Sequence, residues 1–277
     1  MTTESKDKLL ANVLATFKNT PDPRLHEITE ALVRHLHAFV DEVKLTHDEW
    51  MTGIKYLTAI GQMSDESRQE FILASDVTGV SSLVEMINYR GASGSTENTV
   101  LGPFYATGSP KRQNGDTIIE TPDDGQRLHV SGTVRTMDGT PIPGASVDVW
   151  QTASNGFYPV QDSSQSPTNL RGLFTTASDG RYEFLTVRPV DYSVPTDGPA
   201  GEFLRATGRH PMRAAHVHLI VGAPGYYPVT THIFDSESKY LDSDAVFGVR
   251  DSLIVQFMQR EDGVLTADFD VILTPVE

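Results

Sequence analysis

The sequence predicts an α+β protein: a helical N-terminal region over residues 1–100, then an antiparallel β-sandwich domain over residues 101–277. Two observations predict it. As far as about residue 90, apolar residues recur at spacings of three and four, the period of helices with one buried stripe. Beyond the stretch RGASGSTENT they fall in short alternating runs separated by turn clusters, the period of half-buried strands. At 277 residues the chain can bury a large core without disulfides, and it has no cysteine with which to make any.

The helices come first. Ile28, Leu32, Leu36, Phe39 and Val43 draw one apolar stripe along a long helix. In THDEW, Thr46 stands as N-cap with Glu49 three residues on, a capping box opening a helix through about Ile60. Ser64 is placed to cap another ahead of ESRQEFILASDV, and SSLVEMIN reads as a short helix after it. Apolar stripes in surplus suit a dimer interface. The strands follow as RLHVSGTVR, ASVDVWQT, GRYEFLTVRP, HVHLIV and VTTHIF, with MDGTPIPG, SDG and APG as turns. The boundary between the two textures lies near residues 90–103.

Charge and composition exclude several functions. Lys and Arg number 22 against 37 for Asp and Glu, and a net charge of −15 argues against nucleic acid or anionic membrane as the main partner. The absence of cysteine removes thiolate metal sites, iron–sulfur clusters and cysteine nucleophiles together. The N-terminal MTTESKDKLLANV lacks the features of a secretory signal, and no apolar run approaches the about 18 residues of a membrane span. A cytoplasmic protein is expected.

The stretch RAAHVHLIV carries the first chemical hint. In a strand, His216 and His218 share one face while Ala215, Val217 and Leu219 share the other, so two imidazoles can converge on one point. His35 and His37 have the same spacing on a helix, where about 200° separates them, and are read as structural. An isolated H-x-H is a weak metal signal. Without cysteine, further ligands must be His, Tyr or carboxylate. Tyr158 in SNGFYPV and Tyr192 in RPVDYSVP both follow strand ends, where sites tend to sit. A lone tyrosine there is more often a core or rim residue with its hydroxyl bonded nearby. As metal ligands, phenols of pKa about 10 need a strongly charged, hard cation, and Fe(III) suits them better than Zn(II). Two phenolates and two imidazoles would leave Fe(III) with one positive charge to spare, ready for an aromatic diol that chelates through adjacent oxygens.

Several long motifs, in order across about residues 70–275, resemble the intradiol ring-cleavage dioxygenases: LGPFY, GTPIPGASVDVWQT, NGFY, LRGLFTTASDGRYEFLTVRPVDYSVPTDGP, GRHPMRAAHVHLIVGAPGYYPVTTHIF and YLDSDAVFGVRDSLIV. The resemblance implies one Fe(III) per subunit, held by Tyr158, Tyr192, His216 and His218. Tyr192 would be the axial ligand that leaves with a substrate proton, opposite His216, and Tyr158 would stay in the equatorial plane. The implied chemistry activates the diol rather than O2 and opens the ring between the two hydroxyl-bearing carbons. Arg213 matches the family arginine beside the ring, a fixed cation for developing negative charge. The helical region would be for dimerisation, with a phospholipid in its apolar groove, and the sandwich would be the catalytic domain.

Substrate choice falls to the pocket wall. The resemblance places there Leu73 and Asp76, then Val100, Leu101, Gly102, Pro103 and Phe104, then Val194 and Pro195, and last Ala245 and Val246. Asp76 is the exception in an otherwise apolar or small set. A carboxylate turned into such a pocket is costly unless a donor meets it, and a third ring hydroxyl is such a donor. The expected substrate is therefore hydroxyquinol (benzene-1,2,4-triol), opened to 3-hydroxy-cis,cis-muconate, the enol of maleylacetate. Two alternatives stand: a catechol or chlorocatechol substrate at the same iron site, and a transthyretin-like binding module with merely buried histidines. Asp76 would otherwise be a helix-end cap or surface charge. His232 stands where catechol enzymes usually carry Gln, and is expected to bond to metal-bound oxygen rather than to the metal.

Overall fold

The computed structural model describes residues 3–65 and 68–276. It divides into two compact units, up to Thr58 and from Ala59 onward.

The first unit is helical: α1 (Thr3–Ala15), α2 (Pro23–Glu42) and the first part of α3 (His47–Met63). Asp22 caps α2 by accepting from the amides of Arg24 and Leu25, and Pro23 at the first helical position gives up a donor that would have no partner anyway. The capping box is present at α3. Glu49 Oε2 accepts from the Thr46 amide at 2.8 Å, and Thr46 Oγ1 accepts from the Glu49 amide at 3.3 Å. Among the described residues α2 buries none of its side chains, and the stripe residues Ile28, Leu32, Leu36, Phe39 and Val43 are 49–57 % exposed.

The second unit opens on the rest of α3, then α4 (Glu70–Val77) and α5 (Val80–Asn88). The helix expected directly after Ser64 begins instead at Glu70; residues 66 and 67 lie outside the described residues. Ser64 serves two helix ends, its hydroxyl donating back to the Ile60 carbonyl and accepting from the Phe71 amide. The start of α4 is fixed from afar, because buried Glu70 accepts from the Ala200 amide and pairs with Arg68.

The strands are β1 (Arg127–Arg135), β2 (Ser146–Trp150), β3 (Arg171–Thr175), β4 (Arg181–Val187), β5 (Tyr192–Ser193), then α6 (Pro199–Ala206), β6 (Met212–Arg213), β7 (His216–Gly222), β8 (Val229–Asp235), β9 (Ile254–Val255), β10 (Met258–Gln259), β11 (Leu265–Asp268) and β12 (Val271–Ile272). One sheet runs β10-β11-β1-β12 with β4 also on β1; the other runs β3-β2-β7-β8-β9; β5 and β6 form a two-stranded ribbon. The sandwich is therefore mixed rather than wholly antiparallel. β11 and β12 lie parallel to β1, and β9 lies parallel to β8, because the C-terminal segment returns alongside strands laid down much earlier.

Alternation divides β2, β7 and β8 between two jobs. Val149 pairs with Leu219 and Val147 with Val221, and all four join Val217 and Ile233 in a core shared with Leu128, Val130 and Phe184 of the other sheet. Burying each such side chain contributes about 1.5–3 kcal/mol. On the opposite face Trp150, His218 and His232 stand in a row across the three strands, with His216 opposite Phe234. In the ribbon, Tyr192 pairs directly with Arg213.

Candidate metal centre

Four buried side-chain atoms converge beside β7. Tyr158 Oη lies 2.8 Å from His218 Nε2 and 3.0 Å from Tyr192 Oη, and the Nε2 atoms of His216 and His218 are 3.0 Å apart. Each comes from a different local device. Tyr158 follows β2 and caps a short 3-10 turn whose Gln161 side chain accepts its amide; Tyr192 opens β5; the two histidines share one face of β7. His35 and His37 lie on exposed α2 and take no part.

The donor set fits a hard cation. Burial pushes the pKa of both histidines well below the usual imidazole value, assisted by the charge of Arg213, so both rings are neutral. His216 Nδ1 donates to the Ala214 carbonyl at 2.6 Å, which leaves the lone pair on Nε2, the atom 3.0 Å from His218 Nε2. His218 Nδ1 is buried with no partner. Burial also raises the Tyr158 and Tyr192 phenols above their usual range, so neither ionises without a strong positive charge beside it. Atoms about 3 Å apart around one point suit metal bonds of about 2.0–2.2 Å.

Aromatic rings pack the set on several sides. Trp150 stacks flat on His218, with centroids 4.5 Å apart and planes at 9°. His232 stacks on His216 at 4.4 Å and meets His218 edge-on at 4.1 Å. It is fully buried, neither of its ring nitrogens has a hydrogen-bond partner among the described residues, and burial together with His218, His216 and Arg213 holds its pKa well below the usual imidazole value. Phe104 stacks on Tyr158 at 5.0 Å, and a side chain at Gly102 would meet the His218 ring.

Arg213 joins this centre to a carboxylate that sequence reasoning missed. Its Nη1 donates to Tyr192 Oη at 3.2 Å and sits 3.2 Å from His216 Nε2, while Nε and Nη2 reach the two oxygens of Asp244 at 3.2 and 3.4 Å. Both partners are 2 % exposed. Asp244 also accepts from the Gly248 amide at 2.8 Å, and Thr99 donates its hydroxyl to the Gly248 carbonyl. Trp150, Thr99 and Gly248 were missed as well. The only sign of Asp244 was a carboxylate next to the apolar pair Ala245 and Val246.

Of the expected wall residues, Leu73, Val100, Val194 and Val246 pack in one apolar cluster with Val77, Ala200 and Leu204. Ala245 is buried beside Asp244, its amide bonded to the Met212 carbonyl. Asp76 is 1 % exposed, between Leu73 and Val77 on α4, and its Oδ2 has no hydrogen-bond partner. Burial pushes its carboxyl up to about 6, against the opposing pull of Ser81 and Arg213. Pro103 and Pro195 are half-buried, and Leu101 is the outlier at 38 % exposed.

A fold of helices followed by a sandwich, with two tyrosines, two histidines and a buried arginine at one point, defines a class. Residues 100–275 match the family described as Dioxygenase, and residues 22–96 match Catechol dioxygenase N terminus. The chain belongs to the intradiol ring-cleavage dioxygenases, a family that implies a non-haem iron centre. Within it, the chain is 47 % identical to the 6-chlorohydroxyquinol 1,2-dioxygenase of Cupriavidus pinatubonensis, over 95 % of each protein. It is 46 % identical to the hydroxyquinol 1,2-dioxygenase of a Rhizobium species, over 93 % of this chain and 87 % of the other. The crystal structure of hydroxyquinol 1,2-dioxygenase from Pseudomonas putida superposes with a TM-score of 0.93 at 44 % identity, covering 99 % of this chain and all of that one.

Proposed function

We propose that this protein cleaves hydroxyquinol between its adjacent hydroxyl-bearing carbons with O2, giving 3-hydroxy-cis,cis-muconate, at an Fe(III) held by Tyr158, Tyr192, His216 and His218. The observation that carries the substrate assignment is Asp76: a carboxylate oxygen with no partner, buried among apolar side chains, calls for a donor such as a third ring hydroxyl. The hydroxyquinol-cleaving relatives support the same reading.

Fe(III) would supply the charge that ionises the diol and draws electron density from its ring. The chain does the rest. Tyr192 Oη, which would be a phenolate with the metal bound and lies within reach of Arg213, would accept a substrate hydroxyl proton. Arg213, held by Asp244, presents a fixed cation to the developing negative charge. Leu73, Val100, Val194 and Val246 clamp the ring and exclude water, with Gly102, Pro103, Phe104, Pro195 and Ala245 completing the wall and Leu101 at its rim. Trp150 and His232 hold the histidine rings in plane and angle.

Oxygen uptake across a panel of hydroxyquinols, catechols and chlorocatechols tests the substrate. A catechol preferred over hydroxyquinol would overturn the assignment. For the metal, the iron-loaded protein should be wine-red from tyrosinate-to-iron charge transfer, and Tyr158→Phe should shift and weaken that band while lowering turnover at least about 100-fold. An unchanged spectrum would remove Tyr158 from the ligand set.

We read residues 1–100 as the dimerisation region and 101–277 as the catalytic domain of a cytoplasmic homodimer. The exposed α2 stripe supports the dimer. Among the described residues no helix is long and apolar enough to cross a membrane. Sedimentation should give a dimer that Leu36→Lys together with Phe39→Lys converts to monomers; a monomeric parent would sink the proposal. A phospholipid against that apolar face belongs to the same reading, and mass spectrometry of a solvent extract detects it.

A further inference from the structure

The loop that holds Arg213 also borders a cavity of about 560 Å³, lined by Arg209, His210, Asp242, Asp244, Phe247 and Arg250 among others. Two arginines line it, Arg209 and Arg250. Acidic residues outnumber basic ones 37 to 22, yet neither Arg209 nor Arg250 is paired with a carboxylate among the described residues. Arg209 donates to the carbonyls of Val77 and Ala245 at 2.5 and 2.9 Å. Arg250 donates to the carbonyls of Phe247 and Val249 at 3.1 and 3.0 Å and to Ser82 Oγ at 2.8 Å. Neutral acceptors thus fix both guanidiniums in place with no carboxylate bonded to either among the described residues, the arrangement of a preformed anion site; of the two carboxylates in the same lining, Asp244 is already paired with Arg213.

Phe247 supplies a second, independent feature. Its backbone sits at φ 57°, in the left-handed region where a bulky side chain is strained, and its ring is half exposed. Three contacts hold it there: its amide donates to the Asp244 carbonyl at 3.0 Å, and its own carbonyl accepts from Ser82 and Arg250. The result is an aromatic face offered at the cavity wall with Arg209 over it, 4.8 Å from the ring centre.

We propose that this cavity binds a small organic anion with a planar conjugated carboxylate, gripped by Arg209 and Arg250 and laid against Phe247, and that the bound anion weakens diol binding. The coupling follows from what the arginines now hold. An anion seated on both guanidiniums pulls, through them, on the carbonyls of Val77, Ala245 and Phe247 that they hold, and so shifts the loop whose Asp244 fixes Arg213. Intradiol cleavage converts a neutral ring into a conjugated dicarboxylate, so the product itself has the required chemistry; that identity rests on the function proposed above.

Calorimetry on the iron-loaded enzyme without substrate, with cis,cis-muconate as probe, separates this proposal from the question of turnover. One saturable site per chain is expected beyond any at the iron. Arg250→Gln should weaken it at least tenfold, Arg250→Lys should retain it, and Phe247→Ala, which removes a half-exposed ring, should weaken it at least threefold. In kinetics muconate should raise the diol KM to a plateau, because binding away from the iron cannot exclude substrate completely. A rise without limit, binding that survives both Arg250→Gln and Phe247→Ala, or inorganic phosphate binding as tightly as muconate would overturn it. If Arg250→Gln does not fold, Phe247→Ala and the phosphate comparison decide.

Discussion

Asp76→Leu is expected to lower kcat/KM for hydroxyquinol about 10- to 150-fold and to leave catechol within about threefold, because a hydrogen bond to a buried charged group is worth about 1.5–3 kcal/mol. Equal losses on both substrates would remove the role given to Asp76. The same residue sets a pH dependence. Burial pushes its carboxyl up to about 6 in the fold, with Asp244 adding to the rise and Ser81 and Arg213 opposing it. The unfolded chain ionises near the usual value of about 4. Stability is therefore greatest below that value and falls as pH rises through about 6, by about 3 kcal/mol in all. Asp76→Asn should flatten that fall, and urea midpoints at pH 4 and pH 7 measure it. The preference for hydroxyquinol over catechol should likewise fade below about pH 6, where the acceptor becomes protonated.

Asp244→Asn should cost about 3–5 kcal/mol, because it strands the Arg213 charge at 2 % exposure without its counter-ion. Turnover should collapse with it, since the guanidinium would no longer be aimed at Tyr192. Pairing Asp244→Asn with Arg213→Met should recover much of the stability and none of the activity. Denaturant midpoints of the two single variants and the double variant give the coupling. If Asp244→Asn proves neutral, Arg213 is held by something other than this ion pair.

What could be read in the chain was whatever has a local period. The α2 stripe, the Thr46 capping box and the alternation of β7 are patterns of neighbouring residues, and all three are present. What escaped was tertiary. The start of α4 is decided by Glu70 and the Ala200 amide, 130 residues apart. The parallel strands β11 and β12 depend on a return to β1 that no short window contains. Asp244 lies 31 residues from Arg213, and nothing about either position names the other. The pairing of Tyr192 with Arg213 rests on a ribbon of two-residue strands, too short to carry a signal.

The seven residues of β7 carry the centre on one side and the sandwich core on the other. A one-residue insertion or deletion before His216 would exchange the two, turning both imidazoles inward and Val217 and Leu219 outward. Folding and chemistry are therefore spelled in a single reading frame. Selection for either keeps the other in phase, and lineages of this fold should accumulate substitutions within the strand far more readily than changes in its length.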